Sequence, residues 1–282
     1  MIFRRKKINK SMVALFLFLT MAAVFSLLPI VYVISTAFKP MDELLRFPPL
    51  FIVRRPTLKN FTDLSMALAS FTVPFARYIL NSVFTTVMSV VGTIFVSSMA
   101  AFALSKIKPV GSATIFVLVV SALMFSPQVT QIPLYMQVSR MGMVNTYFAL
   151  ILPKLAVAYN VFLIKQFFDQ IPDSLLESAS VDGSGRFSQF WKIVMPIGKP
   201  AWTTVVVFSF VANWNDYFSP LVFTNTDEMK TLTLAIQTIG RNVARAGAGA
   251  AASLLMILPT VLIFLIMQKI VVDTMLYSGI KG

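Results

Sequence analysis

The sequence predicts an all-α integral membrane protein with six transmembrane helices, and three observations support this fold class. The 282 residues are 57% hydrophobic and 12% charged, and their mean hydropathy is +0.80. Soluble domains are only about 45–50% apolar and carry about 25% charged residues. Long apolar runs alternate with polar segments, and the basic residues, which give a net charge of +13, lie between the runs. This distribution favours contact with membrane lipid and indicates no nucleic-acid partner.

The first transmembrane helix is predicted at residues 12–34, an apolar run long enough to cross a bilayer core of about 30 Å. Residues 1–11 precede it and form a basic segment that is expected to stay in the cytoplasm, because its Lys and Arg side chains resist translocation. A cleavable signal peptide is the alternative. Its apolar region would span only roughly 7–15 residues, so the observed run is too long for one.

Residues 35–76 are predicted to form an ordered external loop with short helices, because the segment is rich in proline and aromatic residues. The stretch Arg54-Arg55-Pro56-Thr57-Leu58-Lys59 is unusually basic for an external loop. The orientation is therefore decided by the basic N-terminus and by the short loop between Lys106 and Lys108.

Residues 77–282 are predicted to form a five-helix core. Its apolar runs are 79–104, 112–127, 147–168, 201–222 and 248–272. Six spans place both termini on one side of the cell membrane, the cytoplasmic side, and the loop 169–200 lies there too. Kinks are predicted at Pro29, Pro127, Pro153 and Pro259. Small and hydroxylated residues of the second span, among them Ser82, Ser89 and Gly92, are predicted to permit close helix packing.

Several function classes are disfavoured by what the sequence lacks. It contains no Cys and no His, so thiolate and imidazole metal sites, disulfides and a histidine base are excluded, and no metal site is predicted. It has no G-x-x-x-x-G-K-[ST] phosphate loop and so does not bind ATP by that device. An enzyme is disfavoured because only scattered carboxylates remain. The absence of an inverted pair of broken spans argues mildly against an ion-coupled carrier.

A polar island between two apolar runs stands out at Glu177-Ser178-Ala179-Ser180-Val181-Asp182-Gly183, followed by Ile193 and Pro196. Ser174 and Glu177 have the spacing of a capping box, which predicts a helix start at Ser174. Gly183 is suited to the left-handed conformation that closes a helix. The enclosed helix has only about two and a half turns at roughly 3.6 residues per turn, so neighbouring elements must hold it.

This stretch resembles the "EAA" signature of ABC importer permeases, in which Glu-Ala-Ala is followed by Gly and then by Ile-x-Leu-Pro. Ser178 replaces the first Ala and Met195 replaces the Leu. The resemblance implies that Glu177, Ser178, Ala179, Asp182, Gly183, Ile193 and Pro196 form a coupling helix and its support, and that this helix inserts into a cleft on a cytoplasmic ATPase subunit.

Further segments resemble the carbohydrate (MalG-like) branch of the ABC importer permeases. They are Arg77-Tyr78-Ile79-Leu80-Asn81-Ser82, Gln131-Ile132-Pro133-Leu134-Tyr135, Gly142-Met143-Val144-Asn145-Thr146, Ile171-Pro172-Asp173 and Trp214-Asn215-Asp216-Tyr217. The resemblance implies a permease subunit in a heterodimer with a second, homologous permease subunit. It also implies two ATPase subunits that bind ATP and Mg, and an extracytoplasmic binding protein that delivers a sugar. An importer for a non-sugar solute is the alternative.

Polar groups at membrane depth are the candidates for the substrate pathway. Such groups are costly and usually mark either function or interhelical hydrogen bonds, and both interpretations stay open. Amides and carboxylates can bind sugar hydroxyls, and aromatic rings can cover apolar ring faces. The candidates are Asn81, Gln128, Gln131, Asn160, Asn213, Trp214, Asn215, Asp216 and Tyr217. Lys154 and Lys165 are expected to extend toward the membrane interfaces.

Overall fold

The computed structural model describes residues 10–69, 73–239 and 246–278, and within these ranges the regular structure is entirely helical. Most of the predicted basic N-terminus therefore lies outside the described residues. The chain divides into two compact units, residues 1–70 with 239–255, and residues 71–238 with 256–282.

The first unit begins with the long helix α1 (Lys10–Ala37), which matches the first predicted span. Two short helices follow within the predicted loop 35–76, namely α2 (Met41–Leu44) and α3 (Lys59–Ala69). The short helices expected in this loop are thus confirmed.

The second unit is built on α4 (Phe75–Phe102), which continues through a π-helical segment to Ile107. The next helices are α5 (Ser112–Ala122), α6 (Pro127–Arg140), α7 (Tyr147–Ile151), α8 (Ala158–Phe168), α9 (Asp173–Val181) and α10 (Arg186–Gln189). After them come α11 (Met195–Ile197), α12 (Lys199–Trp214), α13 (Phe218–Phe223), α14 (Leu232–Ile239) and α15 (Ala246–Ser278). The last helix contributes to both units.

The apolar helices of the described residues amount to six spans if each bent helix pair is counted as one. Three are single helices, at Ser11–Ala37, Phe75–Ile107 and Ala246–Lys269. The other three are bent pairs. Helices α5 and α6 form the first, bent by 109°. The segment Tyr147–Lys154 and α8 form the second, bent by 40°, and the segment Arg186–Ile197 and α12 form the third, bent by 77°.

Two of the four predicted proline kinks coincide with these bends. Pro127 begins α6, and Pro153 lies in the 3₁₀ turn before α8. Proline has no backbone N–H to continue the hydrogen bonding of the preceding helix, so the chain bends at these positions. Pro29 and Pro259 lie inside helices that continue past them.

The packing face of α4 is rich in small and hydroxylated side chains, as predicted. Its buried residues include Ser82, Thr85, Thr86, Ser89, Thr93, Ser97 and Ser98. A Cβ atom on Gly92 would lie 2.5 Å from Cδ2 of Leu155, so the close approach of this neighbour requires glycine or a shift of the leucine. The small side chains let other helices approach the α4 backbone closely.

Candidate coupling surface and polar cleft

The helix predicted as the coupling helix is α9, and it starts differently from the prediction. The capping box is wrong: Pro172 occupies the N-cap position, and no side-chain hydrogen bond caps the helix. The Ser174 carbonyl is already inside the helix and accepts a hydrogen bond from Oγ of Ser178 at 2.9 Å. Pro172 fixes the backbone just before the first turn, and the carboxylate of Asp173 in that turn complements the helix dipole.

The end of α9 follows the prediction for Gly183, which has a φ of +80°. The Gly183 N–H donates to the Ser180 carbonyl at 3.0 Å, and the Ser184 N–H donates to the Ala179 carbonyl at 2.8 Å. These two bonds are the pair that defines a Schellman motif. The left-handed residue therefore satisfies two carbonyls that the helix end would otherwise leave without a partner.

One side of α9 is exposed, and it is both acidic and apolar. Glu177, Ser178 and Asp182 are exposed, and Ala179 is half-buried. Val181 is 88% exposed, and Phe187 in α10 is also exposed. We call Glu177, Ser178, Val181, Asp182 and Phe187 together the coupling surface. Exposed apolar side chains beside carboxylates are typical of a surface that docks a partner.

The opposite side of α9 is fixed by a hydrophobic core. Leu176 is buried and belongs to a cluster that includes Phe168 of α8, Val205 of α12, and Phe190, which directly follows α10. Ile193 packs against this cluster, whereas Pro196 in α11 is exposed. Ile193 therefore packs on the buried side of α9 and does not form part of the exposed surface of this helix.

Gln189 is a positioning residue that the sequence analysis missed. Its side chain is buried, and the two N–H groups of Nε2 are shared among the Leu176 carbonyl at 3.2 Å, Oγ of Ser180 at 2.7 Å and the Ser184 carbonyl at 3.1 Å. One side chain thus joins α10 to α9 and to the turn after it. No local pattern signals this role, because its partners are defined by the fold.

A second attachment joins α9 to the end of the α4 span. The buried side chain of Lys106 donates to Oδ1 of Asp173 at 2.6 Å and to the Ile171 carbonyl at 2.5 Å. The hydrogen bond from Lys106 lowers the pKa of Asp173, so this carboxylate is ionised at neutral pH. Next to it, Oγ of Ser105 donates to Asp169 at 2.6 Å. The sequence analysis used Lys106 only to assign orientation.

A cleft of about 320 Å³ with a largely apolar surface lies between the segment around α8 and α12, and we call it the polar cleft for the amide and charged groups that it contains. Its lining residues are Lys154, Val157, Tyr159, Asn160, Phe208, Ser209, Ala212, Asn213 and Asp216. Three of the predicted pathway residues, Asn160, Asn213 and Asp216, therefore come together. The rings of Tyr159 and Phe208 lie 6.1 Å apart, so the cleft combines amide, carboxylate and aromatic groups.

Hydrogen bonds hold the polar groups of this cleft in place. Nδ2 of Asn160 lies 3.2 Å from Oγ of Ser209, and Nδ2 of Asn213 donates to the Ser209 carbonyl at 2.7 Å. The Nζ atom of Lys154 lies 2.7 Å from Oδ2 of Asp216. This carboxylate holds the ammonium group of Lys154 in the cleft, and the expectation that Lys154 extends toward a membrane interface stays a prediction.

Lys165 is likewise held by a partner. Its Nζ atom lies 2.7 Å from Oδ2 of Asp169, one helical turn further on, and 4.2 Å from the centroid of the Phe116 ring.

The other predicted pathway residues lie outside the cleft. Asn81 is buried, donates to the carbonyls of Glu228 and Lys230 at 2.7 and 2.8 Å, and accepts from the Tyr147 hydroxyl at 2.7 Å. Buried Trp214 donates to the Met256 carbonyl at 3.0 Å. These contacts favour the structural alternative for both residues. Gln128, Asn215 and Tyr217 are exposed, and Gln131 is half-buried.

The chain is similar to known proteins over most of its length. A family described as "Binding-protein-dependent transport system inner membrane component" matches residues 2–276. The arabinooligosaccharides transport system permease protein AraQ of Bacillus subtilis is 30% identical, over 96% of this chain and 96% of that protein. The trehalose/maltose transport system permease protein MalG of Thermococcus litoralis is 28% identical, over 92% and 93%.

The fold also matches a solved structure. A chain of a bacterial ABC transporter involved in the import of the acidic polysaccharide alginate superposes with a TM-score of 0.77 at 22% identity, covering 94% of this chain and 99% of the other. The all-helical fold with a bent, polytopic core is that of a transport permease. The chain belongs to the inner membrane components of binding-protein-dependent transport systems.

Proposed function

We propose that this chain is the permease subunit of an ATP-driven importer of sugars or oligosaccharides, in which it forms part of the translocation path. The observation that carries the proposal is the polar cleft, where Asn160, Asn213 and Asp216 meet the rings of Tyr159 and Phe208. Amides and a carboxylate suit sugar hydroxyls, and the aromatic rings suit the apolar faces of sugar rings. The named substrates of the related permeases support the same class.

The energy for transport comes from separate subunits in this proposal. The chain acts as a transport subunit without an ATPase site of its own, and two ATPase subunits bind ATP and Mg. They dock on the coupling surface, whose Val181 and Phe187 supply apolar contact and whose Glu177 and Asp182 supply charge. ATPase closure then moves α9 and rocks the helices between two states.

The remaining partners are a second, homologous permease subunit and an extracytoplasmic solute-binding protein. Both termini and α9 lie on the cytoplasmic side, because the basic N-terminus resists translocation and six spans return the chain to the same side. A reporter fused after Gly282 tests this orientation. Activity confined to the outside of the cell would overturn it.

The test of the proposed function is transport by the complete complex. The chain, its partner permease, the ATPase subunits and the binding protein are reconstituted in vesicles, and uptake is measured with a panel of neutral and acidic oligosaccharides, amino acids and short peptides. We expect ATP-dependent uptake of at least one oligosaccharide. Uptake restricted to amino acids or peptides would support the non-sugar alternative and reject the sugar proposal.

A further inference from the structure

The loop that follows α1 presents an apolar and basic surface to its surroundings. We call residues 45–54, with the sequence Leu45-Arg46-Phe47-Pro48-Pro49-Leu50-Phe51-Ile52-Val53-Arg54, the anchor loop. Phe47 is 93% exposed and Ile52 is 67% exposed. Leu45 and Phe51 in the same loop are also exposed, and several large apolar side chains exposed close together are a signal of a protein or membrane interaction site.

The anchor loop runs back alongside the end of the first span. The rings of Phe51 and Tyr32 lie 5.7 Å apart, and the Val53 N–H donates to Oγ of Ser35 at 2.8 Å. Tyr32 precedes the end of α1 at Ala37 by five residues, which is about 7.5 Å along the helix at roughly 1.5 Å per residue. The loop therefore reaches back to the depth at which the span leaves the hydrocarbon, where tyrosine is commonly found.

Two buried charged residues hold the loop at this depth. Nζ of Lys39 lies 4.7 Å from the centroid of the Tyr32 ring and donates to the Leu50 carbonyl. The carboxylate of Glu43 accepts from the backbone N–H groups of Arg54 and Arg55 at 3.0 and 3.2 Å. These contacts hold the loop at Leu50 and at its C-terminal end, and at its other end the Leu45 N–H donates to the Met41 carbonyl at 3.1 Å.

The chemistry of the exposed segment matches the interfacial region of a bilayer. Pro48 and Pro49 have no backbone N–H, so the segment carries fewer donors that would lose water on insertion. Arg46 and Arg54 are exposed, and among the described residues neither is in an ion pair with a carboxylate. Their guanidinium groups are available to lipid phosphates, which arginine binds in bidentate geometry.

We infer that the anchor loop inserts Phe47 and Ile52 into the lipid headgroup and upper acyl region beside α1, with Arg46 and Arg54 bound to the phosphates of anionic phospholipids. A solute-binding protein is a poorer occupant, because the segment is directed back along the span.

Leu58 follows Thr57, whose N–H donates to the Phe38 carbonyl at 2.9 Å beyond the end of α1. It therefore provides an exposed apolar position that lies farther from the bilayer.

The test uses the absence of cysteine from this chain, since one introduced cysteine is its unique labelling site. Phe47→Cys, Ile52→Cys and the matched control Leu58→Cys are each labelled with an environment-sensitive fluorophore. Each labelled chain is assembled with cysteine-free partner subunits and placed in nanodiscs of phosphatidylcholine with or without phosphatidylglycerol. Quenching by a lipid with a shallow nitroxide is compared with quenching by iodide in the water.

We expect the labels at 47 and 52 to be quenched several-fold more by the nitroxide lipid than by iodide, and the label at 58 to show the reverse. Phosphatidylglycerol should strengthen lipid quenching at 47, and Arg46→Gln with Arg54→Gln should abolish that increase. Equal iodide access at 47 and 58 would overturn the inference. Protection of 47 from both quenchers would also overturn it, because a protein subunit would then cover the loop. If Phe47→Cys does not assemble, Ile52→Cys carries the same expectations.

Discussion

The Nζ atom of Lys154 lies 2.7 Å from Oδ2 of Asp216, and the two side chains are only 19% and 17% exposed. The pair joins the break before α8 to the residues that follow α12. The Ser219 N–H donates to the other carboxylate oxygen at 3.0 Å. Desolvation of two charges is costly, so removal of one partner leaves an uncompensated charge in the cleft.

Lys154→Met alone should therefore lower the stability of the purified complex by up to about 3 kcal/mol, whereas Lys154→Met with Asp216→Asn should recover much of that loss. Thermal unfolding of the single and double variants in the same detergent checks this. Uptake assays then separate two roles, since a stable double variant without uptake places the pair in the pathway. A Lys154→Met variant that unfolds at the same temperature as the parent would contradict a stabilising role for the ion pair.

Asn213→Ala should impair sugar uptake, and Asn215→Ala should not. The two residues form a matched pair, because each amide donates to the carbonyl four residues earlier, Asn213 at 2.7 Å and Asn215 at 2.9 Å. Only Asn213 lines the polar cleft. Uptake is measured in complexes of equal subunit composition, and equal rates for both variants would show that the cleft is not on the path.

Gly183→Val should uncouple ATP hydrolysis from substrate, and Gly185→Val should have little effect. A Cβ atom would meet no neighbour within 4 Å at either glycine, but only Gly183 has a positive φ. A β-branched residue is strained there by about 1 kcal/mol or more, so the Schellman turn should loosen. The readout is stimulation of ATP hydrolysis by the loaded binding protein, and full stimulation with Gly183→Val would contradict this.

Gln189→Ala should weaken the same stimulation, because Leu176 and Ser180 of α9 and Ser184 in the turn after it lose the donor that they share. Buried groups left without a partner cost about 1–3 kcal/mol each. Gln170→Ala is the control, since Gln170 is exposed and its amide donates only to the Gln166 carbonyl within the described structure. If both glutamine variants couple normally, the core around Leu176 is sufficient to hold the helix.

Glu177→Ala should weaken ATPase association without changing the stability of the chain. The residue is exposed and does not cap α9, and changes at such surface positions usually lie within about 0.5 kcal/mol. Glu228→Ala, at an exposed glutamate near the opposite end of α4, is the comparison. Co-purification of the ATPase with each variant is the measurement. Unchanged association with Glu177→Ala would limit docking to the apolar part of the coupling surface.

Local patterns in the sequence predicted the spans and the position of α9, because hydropathy and the Glu177 to Gly183 stretch are short-range signals. The 77° bend before α12 was not predicted. It lies at Gly198, where a Cβ atom would approach Cε1 of Phe168 to 2.4 Å, a contact that depends on tertiary packing. The pairing of Lys154 with Asp216 was missed for the same reason. The capping box failed because Pro172, two residues before Ser174, takes the N-cap position, so the helix already begins at Asp173.

The two ends of the α4 span are each held by hydrogen bonds to a different part of the chain. Asn81 is bonded to the carbonyls of Glu228 and Lys230 at one end, and Lys106 is bonded to Asp173 at the other. Each added or removed residue turns an α-helix by about 100° and changes its length by about 1.5 Å. The contacts of Asn81 and Lys106 therefore depend on the number of residues between them. Substitutions between these two positions can keep both contacts, but an insertion or deletion of one residue would rotate one of the two side chains away from its partner.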